Sequence, residues 1–145
     1  MSKPKIMVAL RDTDHADDLT KLACQMSNTL GADLVALHVV EVGPGLPLDA
    51  DAEILDQPGK ALLAHVREVA SKDCSKQIST RLVRGREAGR SIVAEAEDSG
   101  AQLLILGYHQ KHRAASEFLF GSTVQYVAHH TPCQVIIHVP PALAA

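Results

Sequence analysis

The chain has 145 residues, 46% apolar and 21% charged, with a net charge of −3 and a pI near 6.2, the profile of one globular domain able to bury most of its apolar surface. The mild acidity, two Phe, two Tyr and no Trp exclude a general nucleic-acid binder built on a basic patch and base stacking. No run reaches the roughly 18 apolar residues of a membrane span, and MSKPKIMVAL lacks the apolar core of a signal peptide, so a cytoplasmic protein that is not membrane-embedded is expected.

Lys5–Leu10 is a short apolar run, as in a strand buried on both faces. Thr13 and Asp14 then offer caps for a helix over His15–Leu30, whose Leu19, Leu22, Ala23, Met26 and Leu30 share a face and whose stop is Gly31. Asp33–Val40 reads as a second buried strand. Residues 41–56, with two glycines, two prolines and an acidic cluster, predict a long mobile connection. A helix follows over Pro58–Lys72, with Leu62, Val66, Val69 and Ala70 inward. Ile78–Val83 alternates like a strand near a sheet edge and ends at Gly85. Ala88–Ser99 is helical, Gln102–Leu106 a strand, Ser122–Thr131 a helix and Gln134–Val139 a strand. Five strands alternating with four helices predict a parallel, Rossmann-like α/β sheet with helices on both faces, in a single domain spanning residues 1–145.

Cys24, Cys74 and Cys133 are widely spaced and odd in number, which predicts reduced thiols. Adjacent His129 and His130 point about 100° apart on a helix, and His109 and His112 lack a completing Cys or Asp, so no metal site is read. There is no Gly-x-Ser-x-Gly elbow, Walker lysine or kinase set, and no general base. A non-enzymatic role is expected, with at most slow ATP hydrolysis or autophosphorylation.

The segment from Gly107 to Thr123 has the order strand, glycine turn, loop and helix start, where unpaired N–H groups and the helix dipole attract anions. A structural turn is the other reading, because Ser122 and Gln125 have capping-box spacing. Gly121–Ile137, GSTVQYVAHHTPCQVII, resembles the closing signature of the universal stress protein family: a glycine-serine helix start, a histidine, a proline-cysteine pair and an apolar strand. Nucleotide-binding members carry glycine, two residues, glycine, nine residues, then glycine with Ser or Thr. Gly107 and Gly121-Ser122 match; Gln110 replaces the second glycine, and ten residues, Lys111–Phe120, follow it.

The resemblance implies a strand order of 3-2-1-4-5, with ligand at the switch point between the first and fourth strands. It further implies ATP or AMP, with any Mg2+ held by the phosphates. The implied nucleotide site comprises Ala9, Leu10, Arg11, Val39, Leu106, Gly107, His109, Gln110, Arg113, Gly121, Ser122 and Thr123. Arg11 stands where relatives carry an aspartate, reversing the charge; it either clamps phosphate or is solvated or salt-bridged, to Asp12 or Asp14. Val39 matches the position whose backbone reads the adenine edge. Relatives pair the last strand across a two-fold axis, implying a homodimer through Gln134–Val139. The functional expectation is a regulatory, stress-response nucleotide binder. The alternative is a nucleotide-free dimeric interaction protein that regulates a transporter or another protein partner.

Overall fold

The computed structural model describes residues 3–12, 15–75, 77–108 and 121–140. Its elements are β1 (Lys5–Ala9), α1 (Ala16–Leu30), β2 (Asp33–Glu41), α2 (Glu53–Asp73), β3 (Ser79–Gly85), α3 (Ala88–Ser99), β4 (Leu103–Gly107), α4 (Ser122–His130) and β5 (Gln134–His138). The strands form one parallel sheet in the order β3-β2-β1-β4-β5, as the resemblance implies. β1 lies at the centre, and its alternating side chains feed two cores. Ile6, Val8 and Leu10 join α1 and α2 on one face. Met7 and Ala9 join Leu37, Ile92, Leu104 and Val127 on the other, under α3 and α4. Such burial on both faces explains why the central strands are apolar without alternation.

Helix α1 stops at Gly31, whose left-handed φ of 64° suits glycine and lets its N–H bond the Ser27 carbonyl. Its N-cap is His15, also left-handed, with no side-chain cap; Thr13 and Asp14 lie outside the described residues. Leu30, expected inward, is the last residue of α1 and is 52% exposed.

Three expectations need correction. First, α2 begins at Glu53 and contains Pro58, although proline in a helix removes a bond to the carbonyl four residues back. The extra turn is held from outside: the Arg84 guanidinium binds both Asp56 carboxylate oxygens at 3.0 Å, and donates to the carbonyls of Leu48, Ala50 and Ala52. Second, the 41–56 connection is therefore tied down. Arg86 gathers the Val42, Gly43 and Leu46 carbonyls in the same way. Hydrogen bonding and charge from Arg84 hold the Asp56 carboxyl below its ordinary range. Its contribution is thus complete above the usual aspartate pKa and is lost as pH falls through the lower folded value. Third, Cys24 and Cys74 form a disulfide. Cys24 faces inward from α1 and Cys74 ends α2, so the packing of these helices brings their Cα atoms to 4.8 Å. Asn28 ties the same corner, donating to the Asp73 carbonyl and accepting from the Ser75 N–H and hydroxyl. Cysteine usage consequently no longer argues for a cytosolic address. Cys133 is unpaired and half-buried.

Glu95 of α3 pairs with Arg81 of β3. Among the described residues no helix is long and apolar enough to cross a membrane.

Gly59 lets α2 sit close on the sheet: a Cβ there would come within 2.6 Å of His38 Cδ2 and 2.7 Å of Leu82 Cδ1. Leu82 can turn aside, but the His38 ring is fixed by a hydrogen bond to the Leu10 carbonyl. Gly59→Ala gains about 1 kcal/mol in helix propensity against about 1–3 kcal/mol of overpacking. The expected result is a lower melting temperature, read by calorimetry; an unchanged or higher one contradicts the packing argument.

Candidate functional site: a cleft past the end of β1

Ala9 pairs with Leu37, and β1 ends there while β2 runs on to Glu41. The Leu10 N–H still reaches the Leu37 carbonyl at 2.8 Å. In a parallel ladder a residue aims its N–H and C=O at one neighbour, and the next residue aims at the other. Leu37 aims at β1, so Val39 and Glu41 aim the same way, past the point where β1 has stopped. The period of two also puts the Leu37, Val39 and Glu41 side chains on the α3/α4 face. The result is a cleft of about 430 Å³ at the carboxyl ends of the strands.

One wall is the overhang of β2. Glu41 there accepts the Ala88 N–H through Oε1 at 3.0 Å, binding the first turn of α3 to the end of β2. On the opposite face of β2, His38 Nδ1 lies 2.7 Å from the Leu10 carbonyl. A carbonyl only accepts, so Nδ1 carries the proton. This bond fixes the chain where it leaves β1 and turns into Arg11.

The other wall comes from β4 and α4. Leu106 is buried, Gly107 ends β4, and the Tyr108 N–H bonds the His138 carbonyl at 2.9 Å. Gly121 is the N-cap of α4, without a side-chain cap bond. Ser122 is therefore the first helical residue, and the capping-box reading fails: Gln125 bonds the Gly121 carbonyl through its backbone. The first-turn N–H groups have no intrahelical acceptors, and Gly121, Ser122, Thr123 and Val124 all line the cleft. Gly121 has φ −62° and ψ 163°, which any residue adopts, and an added Cβ would meet no atom within 4 Å. Its small size thus leaves open space in front of the helix.

Ala9, Leu10, Arg11, Val39, Leu106, Gly107, Gly121, Ser122 and Thr123 are brought together around this cleft. His109, Gln110 and Arg113 lie outside the described residues, as does Asp14. Arg11 is exposed at the mouth, and no ion pair links it to a described carboxylate. Sequence reasoning missed Glu41, Ala88, Ile92 and Tyr108. For Glu41 a signal existed in its parity with Val39 along one strand. For Ala88 and Ile92 there was none, since helix packing places them.

A family model described as "Universal stress protein family" matches residues 4–139. A universal stress protein of Methanocaldococcus jannaschii is 27% identical over 139 residues, covering 92% of this chain and 80% of that one. The structure of a universal stress protein from Archaeoglobus fulgidus superposes with a TM-score of 0.73 at 24% identity, over 92% of both chains. Another from that organism, in complex with dAMP, gives 0.69 at 21% identity, over 94% of this chain and 97% of that one. At these identities the structural matches establish the fold.

His38→Phe keeps a flat ring and deletes the Nδ1 donor, leaving the Leu10 carbonyl without it. A loss of about 1 kcal/mol is expected, because the bond is only partly buried. Urea denaturation measures it, and a variant as stable as the parent removes His38 from the turn.

Proposed function

The chain belongs to the universal stress protein family, and from that footing we propose that it holds an adenine nucleotide, ATP or AMP, in the cleft past β1. The role is regulatory rather than enzymatic: occupancy of the cleft alters a surface read by a protein partner during the stress response, in the cytoplasm. The observation that carries this reading is an α4 N-terminus without a side-chain cap and a Val39 backbone edge past the end of β1, both without a partner among the described residues and facing one cleft. Unpaired N–H groups suit phosphate, while one N–H and one C=O side by side suit the edge of a base. The dAMP complex of the Archaeoglobus protein supports an adenine ligand on this fold.

Arg11 supplies cationic charge at the mouth, and its planar fork suits phosphate oxygens. Among the described residues no group of three or more His, Cys, Asp or Glu offers a protein-held magnesium site. His109, Gln110 and Arg113 complete the loop side of the site in this reading.

A homodimer through β5 belongs to the same proposal. β5 pairs with β4 along one edge, Val135, Ile136 and Ile137 are half-buried, and Val139 is exposed. Pairing with a second copy would cover this apolar edge strand. The alternative, a dimeric interaction protein without nucleotide, shares the edge and differs only in the cleft. Light scattering at micromolar concentration is expected to give twice the monomer mass; a monomer mass rejects the dimer.

Titration calorimetry with ATP and AMP tests the ligand. Gly121→Val fills the space before α4 and is expected to weaken binding by about tenfold or more, with a near-unchanged melting temperature because a Cβ there meets nothing. Absence of binding to the parent protein favours the nucleotide-free alternative. Equal affinity of parent and variant moves phosphate away from α4.

A further inference from the structure

Glu41 is the one acidic side chain among the described residues that line the cleft, and Arg11 is the one basic side chain. They stand at different places along it. Arg11 follows the end of β1, whereas Glu41 closes the β2 overhang beside α3. Its Oε1 is committed to the Ala88 N–H, which fixes the carboxylate against the first turn of α3. Oε2 takes no hydrogen bond from a described residue and belongs to a side chain that borders the cleft.

We propose that Glu41 is a specificity-determining residue: its Oε2 accepts a hydrogen bond from the exocyclic amine of the bound base. The inference rests on the nucleotide reading above and deepens it. A nucleotide is anionic at one end only. The uncapped α4 start and Arg11 attract that end, while the Glu41 carboxylate repels it, so the ligand lies with its base toward β2. From β4 to β2 is two strand spacings, roughly 10 Å, which a nucleotide spans from phosphate to base. The atom that meets Oε2 must be a donor, because an ionised carboxylate only accepts. The 6-amino group of adenine is such a donor on the same edge that the Val39 backbone faces. Glu41 would thus fix the cleft's preference for an amine-bearing base, while its other oxygen holds α3.

Glu41→Gln separates the two tasks. The amide oxygen can keep the Ala88 bond, and the amide nitrogen then presents N–H where Oε2 stood, facing a donor with a donor. Binding of AMP, 2′-deoxy-AMP and purine riboside 5′-monophosphate, which lacks only the amine, is measured on both proteins by titration calorimetry. The parent is expected to bind AMP about tenfold to a hundredfold more tightly than the purine analogue. In the variant that preference should fall by about tenfold or more, leaving only what the Val39 carbonyl contributes, with analogue affinity and melting temperature near the parent's. A parent that binds AMP and the analogue equally, or a variant that keeps the parent's preference, overturns the assignment while leaving the nucleotide site standing. A preference for AMP over 2′-deoxy-AMP that disappears in the variant places a ribose hydroxyl on Glu41 and also overturns it. A parent that binds none of the three refutes the nucleotide reading itself.

Discussion

The site exists because two neighbouring strands have unequal lengths. β1 stops at Ala9, opposite Leu37, and β2 continues to Glu41. The β2 wall of the cleft follows from that step. The backbone of Val39 is left facing open space, the Glu41 carboxylate reaches the start of α3, and the chain leaving β1 must turn within a residue or two. A β1 longer by two residues would pair with Val39 and close the cleft. Sheet geometry alone thus supplies a polar edge in an otherwise apolar setting, where an unmet N–H or C=O is costly.

Keeping such a step open requires the surrounding chain to be held, and arginine and histidine do this through backbone carbonyls. Arg84 and Arg86 sit at and just after the end of β3 and collect carbonyl oxygens from the connection between β2 and α2. Their forked donors suit a non-repeating loop whose carbonyls have no regular partners. His38 performs the same service for Leu10. Arg84 and His38 thus act from the far side of β2, while Glu41 ties the end of the overhang to α3 on the cleft side.

The order of elements was legible because apolar periodicity reports local geometry, and β1 and β4 are plain apolar runs. The strand order came through the resemblance of Gly121–Ile137, since nothing in the local pattern tells β1 to lie beside β4. What escaped the sequence depended on partners distant in the chain. Pro58 argued for a late start to α2, and only the Arg84–Asp56 pair shows why the helix starts at Glu53. Cys24 and Cys74 looked unrelated until α1 and α2 were seen to pack together. The Ser122 and Gln125 spacing fits a capping box, but the helix begins one residue earlier than that box requires. Glu41 was read as the start of a loop because its acid side chain ends an apolar run, although its parity with Val39 placed it on the cleft face.

The disulfide has a topological consequence for the site. Cys24 and Cys74 are 50 residues apart, and the covalent ring they close encloses β2 together with His38, Val39 and Glu41. A peptide-bond break anywhere in the connection between β2 and α2 would leave both pieces on one molecule, so a nicked chain keeps its cleft wall tethered. Reduction would remove that tether and about 4 kcal/mol of chain-entropy stabilisation for a ring of this size. In a thiol-rich compartment, survival of a clipped molecule would then rest on the packing of α1 against α2 and on the Asn28 bonds at their corner.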